Sequence, residues 1–197
     1  MSTENIIIGA GKIWFAPVGE ALPAAATVGY GSAWGGNWAY LGDTLEAITI
    51  TPNAEHVSIE TQQSQSDIKS IRVKVAPTLS SSLADFDPDN LVLALGGTNT
   101  PTAAGSGTAG FDTYTFGGQF QETVKAWGVE TVRVTDDGDE LPVRYFFYKG
   151  TFQFTGDQSV DKRSTLGTPF TIKVLEDRTK AVGAKIGVIH NVTAVAD

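Results

Sequence analysis

The 197-residue chain has no cysteine, one methionine and two histidines. The lack of cysteine excludes a disulfide framework and any thiolate metal site. No apolar run approaches the roughly 20 residues of a membrane-spanning helix. The first five residues are polar and do not resemble a signal peptide. We therefore expect a protein that is made in the cytoplasm, is not exported and does not contact a membrane.

Charge is also scarce, and its balance is acidic. Only 18% of the residues are charged, and the net charge is -8. The densest basic groups are two short pairs, Arg72 with Lys74 and Lys162 with Arg163. A protein that grips nucleic acid carries a basic patch or stripe. The charge pattern excludes that class and leaves a chain whose surface repels polyanions.

The clearest pattern that is present is a period-2 alternation over residues 71–83. Ile71, Val73, Leu79 and Leu83 share one parity with Pro77, and polar residues fill most of the other parity. This predicts a strand with one buried and one wet face, roughly 40 Å long if unbroken. Pro77 lacks an N–H donor, so we expect the strand to bend or bulge there.

The remaining pattern predicts a mainly β domain. Residues 55–62 and 71–83 form a long hairpin, 55–83, around a polar tip. Asp87 as N-cap, Pro88 at the first helical position and a glycine stop predict one helix over 87–96. Loops are expected at 19–37 and 97–110, and further strands at 12–15, 38–42, 44–51, 113–116, 126–135, 141–155, 168–175 and 186–192. The prediction is one domain, 1–197, a β-sandwich or partial barrel with one flanking helix, an N-terminal arm, 1–12, and a C-terminal segment, 178–197.

Catalytic patterns are not found. His56 and His190 lack partners at metal-ligand spacing, and the acidic turn at 136–140 lacks the spacing of a calcium loop. No nucleophile elbow or phosphate-binding loop occurs. We expect no enzymatic activity, no cofactor and no metal. The tryptophans are interpreted as core residues, with one alternative: a carbohydrate- or host-surface-binding β-sandwich that exposes Trp34 and Trp38.

Four segments, taken in order, resemble the tail tube proteins of long-tailed bacteriophages. The segment 38–44 followed by Ile48 and Ile50 resembles the early strand of that family. The long hairpin comes next, and 89–96 resembles the single "NL…LG" helix. The segments 152–157 and 167–172, which lead into Glu176, are similar to the closing strand pair. The resemblance covers roughly residues 38–190, and the chain length and extra loops favour the flexible, non-contractile kind.

The resemblance implies a structural virion protein. Such proteins form hexameric rings that stack into a hollow tube, through which double-stranded DNA passes without sequence-specific binding. It also implies contacts with the tape measure protein and with the tail terminator and tip proteins. The expected lumen-facing residues are Asp43, Glu46, Glu55 and Glu60. The expected ring-stacking tip comprises Gln62, Gln63, Ser64, Gln65, Ser66, Asp67 and Lys69, and the expected inter-subunit contacts are Arg72, Lys74, Ile6, Ile7 and Ile8.

Overall fold

The computed structural model describes residues 9–24, 28–59, 66–84, 87–117, 122–157 and 167–194. The described chain is mainly β and includes one helix, α1, at Pro88–Leu95. The strands are β1 Lys12–Ala16, β2 Ala39–Tyr40, β3 Thr49–Thr51, β4 Ala54–Ile59, β5 Lys69–Val75, β6 Thr78–Leu83, β7 Thr98–Thr102, β8 Phe111–Thr115, β9 Val124–Val134, β10 Glu140–Phe154, β11 Thr168–Leu175 and β12 Gly187–Asn191.

Eight strands form the main sheet, in the order β2-β1-β9-β10-β11-β6-β3, with β12 paired to β10 beside β11. The 15-residue β10 is its centre because one edge pairs with β9 while the other pairs with β12 and then with β11. All of these pairings are antiparallel. The acidic turn after Val134 connects β9 to β10, as the sequence predicts.

The sheet is curled into a partial barrel. Leu41 donates its N–H to the carbonyl of Ile13 in β1, and two residues later the Asp43 carbonyl accepts from Ala84, directly after β6. Four strand spacings separate β1 from β6 along the sheet, which is roughly 19 Å if the sheet is flat. The other way round, a single segment joins them: it pairs with β1 through Leu41 and with β6 through Thr44, opposite Leu83, which amounts to only two strand spacings, roughly 10 Å. The two regions therefore meet because the sheet bends round its core.

Each face of the curled sheet covers its own apolar cluster. The larger cluster lies inside the curl and is centred on Trp127, Phe152, Phe170 and Ile172. The smaller one lies on the other face, where the Ala/Gly-rich loop after β1 packs against Trp14 and Phe146. The predicted loop over 19–37 is thus a cover for the sheet.

The helix begins and ends where the sequence predicts. The Asp87 side chain accepts from the N–H of Asp89, Pro88 is the first helical residue, and Gly96 caps the end with a φ of 68°. Buried Asn90 donates to the carbonyl of Leu41, and Leu93 enters the larger cluster. The helix therefore covers the larger cluster on the side where residues 41–45 run from β1 to β6.

Three sequence predictions about strands are wrong in their extent, and the first is the strand 44–51, of which only β3, Thr49–Thr51, forms. Residues 71–83 are two strands in different sheets, because the chain turns at Ala76 and Pro77; the predicted break at Pro77 is confirmed. The hairpin is therefore β4–β5 and ends at Val75. Part of the predicted loop 97–110 is β7, which pairs with β8 in a second small sheet. Tyr114 and Asn99 fix that sheet to α1 through Leu91 and Asp89.

The carboxylate of Asp177 anchors the turn after β11, and its contacts predict that the stability of the folded chain depends on pH. Lys149 donates to Asp177 at 2.9 Å, and the backbone and hydroxyl of Thr179 donate to the same oxygen. These bonds, that of Lys149 first, lower the pKa of Asp177 to about 2. An unfolded aspartate titrates near pKa 3.9. The stabilisation is therefore complete above about pH 4 and is lost as the pH falls towards 2.

The variant Asp177→Asn tests this dependence. Its free energy of unfolding should lie below that of the wild type at neutral pH, and the difference should hold down to about pH 4 and then shrink as the pH falls to about 3. Urea unfolding at several pH values measures it. A difference that stays constant over this range would contradict the assignment.

Candidate assembly surface

The β4–β5 hairpin stands apart from the main sheet. Its two strands pair only with each other among the described residues, with Val57 opposite Ile71. Its foot is fixed by Asn53, which adopts a φ of 41°, accepts from the N–H of Ala76 and donates through its side chain to Thr78. The hairpin therefore has an anchored foot and a body that reaches away from the core.

One face of this hairpin is apolar and open to solvent. Val57 and Ile59 share a parity on β4, and Ile71 and Val73 share a parity on β5; all four are between 41% and 57% exposed. The prediction that Ile71 and Val73 pack on the core is wrong, whereas Leu79 and Leu83, beyond Pro77, do pack there. Ile68, at the tip end, is 60% exposed. An isolated two-stranded hairpin is only marginally stable in water, so we expect this exposed apolar face to pack against a partner.

The other face of the hairpin is polar and leans basic. Arg72 pairs in register with His56, and Lys74 lies 3.8 Å from Glu55. Lys74 thus pairs with a carboxylate across the two strands of its own hairpin. Both partners are more than half exposed, so the ion pair contributes at most about 1 kcal/mol. Over the whole hairpin sequence, 54–75, three cations (Lys69, Arg72 and Lys74) balance three carboxylates (Glu55, Glu60 and Asp67).

The expected site residues fall into three groups. Asp43 and Glu46 are exposed in the connection between β2 and β3, where Tyr40 donates to Asp43 at 2.6 Å. Glu55, Arg72 and Lys74 lie on the hairpin, and Ser66, Asp67 and Lys69 lie at its exposed tip end. Glu60, Gln62, Gln63, Ser64, Gln65, Ile6, Ile7 and Ile8 lie outside the described residues.

Sequence reasoning missed a buried ion pair that secures the loop covering the sheet. Arg144 on β10 and Glu130 on β9 are 0% exposed and lie opposite each other, with Nε 2.9 Å from Oε1. Glu130 accepts from the backbone of Gly31 and from the Trp34 indole, and Arg144 donates to the carbonyls of Val28 and Gly29. The signal was a charged residue of opposite sign in the middle of each of two largely apolar strands, but only the register between the strands brings the two charges together.

All four tryptophans are buried, which overturns the alternative of an exposed sugar-binding platform. Trp34 and Trp38 are 4% and 8% exposed and pack with Trp14 and Phe146. Gly128 makes this possible because a side chain there would collide with the Trp34 ring. Trp127 lies in the larger cluster on the opposite face. None of these rings is available to stack on a sugar.

The described part of the chain contains no cluster of three or more metal-ligating side chains. No helix among the same residues is long and apolar enough to cross a membrane.

The comparisons with known proteins then identify the family. No curated protein matches the chain. A protein-family model described as phage tail tube protein matches residues 1–186. With a match over nearly its whole length, this chain belongs to the phage tail tube protein family.

Proposed function

We propose that the chain, as a single domain over 1–197, polymerises as hexameric rings that stack into the hollow tail tube of a non-contractile phage. The observation that carries the proposal is the β4–β5 hairpin, an amphipathic arm that its own subunit leaves uncovered. In a family of tube-forming proteins, such an arm buries its apolar face against another copy. Head-to-tail contacts of this kind close into rings or extend into fibres.

In this arrangement the lumen is acidic. We assign Asp43, Glu46, Glu55 and Glu60 to it. The exposure of the first three and the net charge of -8 support this assignment. Like charges keep double-stranded DNA from adhering to the wall, so the DNA passes without sequence-specific binding.

The hairpin tip and the arms make the contacts between subunits. We assign ring stacking to Gln62, Gln63, Ser64, Gln65, Ser66, Asp67 and Lys69, and lateral contacts to Arg72, Lys74, Ile6, Ile7 and Ile8. Exposure of every described residue in this set supports the assignment. The tube ends meet the tape measure protein and the terminator and tip proteins. The role is structural rather than catalytic, needs no cofactor, and is exercised in the virion after synthesis in the host cytoplasm.

Sedimentation velocity over a concentration series tests the proposal. The expected result is a monomer at low concentration that gives way to large polymers as concentration rises. A single monomer peak throughout the series would contradict it.

A further inference from the structure

A cavity of about 570 Å³ opens at the side of the curl where β1 begins. Ile48 and Ile50, before and within β3, form one wall, and Val129 of β9 and Tyr145 of β10 form another. All four side chains belong to the larger apolar cluster or pack directly against it. The cavity is therefore an opening into the core that the described residues leave unfilled.

The described chain begins at the rim of this cavity. Gly9, Ala10 and Gly11 all line it, and the Tyr30 hydroxyl donates to the Ala10 carbonyl at 2.9 Å. A side chain at Gly11 would lie only 2.6 Å from the Cδ1 atom of Ile48, so the glycine allows the backbone to pack this closely. These contacts fix the point from which the first eight residues extend.

Those eight residues include an occupant of matching chemistry. Ile6, Ile7 and Ile8 form an uninterrupted apolar run directly before Gly9. Consecutive Cα atoms are about 3.8 Å apart, so Ile8 lies within about 4 Å of a residue that lines the cavity, and Ile6 within about 11 Å. Insertion of these side chains removes apolar surface of the isoleucines and of the cavity walls from water, which favours the inserted state.

Connectivity favours this segment over the same segment of a second copy. A short tether holds a ligand near its site at an effective concentration on the order of millimolar. In dilute protein, at micromolar concentrations, the isoleucines of the same chain therefore occupy the cavity first. As the protein concentration rises, contacts with neighbouring copies compete with this docking.

We propose that Ile6, Ile7 and Ile8 fill the cavity of their own subunit before assembly and leave it when they take up the lateral contacts. The cavity is then an autoinhibitory site, because isoleucines held in the core of one subunit are not available to the next. The docking concerns the free subunit alone, whereas the release rests on the proposed function.

A disulfide formed in the dilute monomer tests the docking directly, because the chain has no cysteine of its own. The variant carries Ile7→Cys and Ala47→Cys, and Ala47 is an exposed residue that lines the cavity. Bridging needs the two Cα atoms within about 7 Å. The matched control joins Ile7→Cys to Ala39→Cys, an exposed position in β2 opposite Phe15, far along β1 from Gly9. The expected yield of intramolecular disulfide is roughly tenfold above this control.

The same variant tests the release. The oxidised protein should stay monomeric when it is concentrated, and it should polymerise after reduction with a thiol. If the reduced form does not polymerise although the wild type does, Ile8→Cys replaces Ile7→Cys in the pair. Circular dichroism of the reduced variants verifies that they are folded.

The outcomes separate the inference from the proposed function. A disulfide yield no higher than that of the Ala39→Cys control would overturn the docking. Oxidised protein that polymerises as readily as its reduced form would overturn the autoinhibition. Failure of the wild-type protein to polymerise would overturn the proposed function, while the disulfide yield in the monomer would still decide the docking.

Discussion

Replacing Ile71 by lysine is expected to abolish polymerisation while leaving the subunit folded. Ile71 lies at the centre of the apolar face of the hairpin, opposite Val57, and its side chain is 41% exposed in the subunit. In the polymer, the lysine ammonium would be buried against an apolar surface without a partner. A loss of about 3 kcal/mol per contact raises the concentration needed for assembly by roughly a hundredfold.

The control is Val134→Lys at the end of β9, where the exposed fraction is 42%. Both variants exchange a β-branched residue in a strand for lysine and add the same charge. Each should unfold within about 0.5 kcal/mol of the wild type, because neither position is in the core. Pelleting assays should separate them, with only Ile71→Lys remaining soluble. Equal polymer yields from both variants would contradict the role of the hairpin.

The second large effect is a loss of folding stability when the buried ion pair of Glu130 and Arg144 is broken. Arg144→Met leaves the Glu130 carboxylate buried without its counter-charge and frees the carbonyls of Val28 and Gly29. Removal of one partner of a buried pair costs about 3–5 kcal/mol. In a chain of this size that corresponds to a melting temperature lower by roughly 10 °C.

The double variant Glu130→Met, Arg144→Met distinguishes the ion pair from simple loss of packing. It removes both charges and fills the space with apolar atoms, so it should be more stable than Arg144→Met alone. It should remain below the wild type because the backbone of Gly31 and the Trp34 indole lose their acceptor. Calorimetry of the wild type, both single variants and the double variant gives the coupling energy. Additive effects of the two single changes would contradict a direct pair.

Local rules account for the features that the sequence predicts well. The helix follows from Asp87, Pro88 and Gly96, which act on adjacent backbone groups, and the break after β5 follows from the missing donor of Pro77. The strands β10 and β11 follow from period-2 alternation. The order of these features along the chain also carried the family resemblance, which the family match confirms.

Features that depend on distant pairing were not predicted. The period-2 alternation places Ile71 and Leu79 on the same face of one predicted strand. It does not show that Ile71 lies in a free hairpin and Leu79 in the core. The Thr-rich strand β7 has the composition of a loop, and it is held as a strand by pairing with β8. The ion pair of Glu130 with Arg144 depends on the register between β9 and β10. In each case the structure is decided by a contact between residues that are distant in the sequence.

Negative-stain electron microscopy of the concentrated wild-type protein tests the central claim most directly. The account predicts hollow tubes with a regular axial striation, and end-on views with sixfold symmetry around a central channel. Ile71→Lys, prepared at the same concentration, should show isolated particles. A field of isolated particles for the wild type, at concentrations where Val134→Lys and the wild type are both folded, would contradict assembly through the hairpin and the tube function itself.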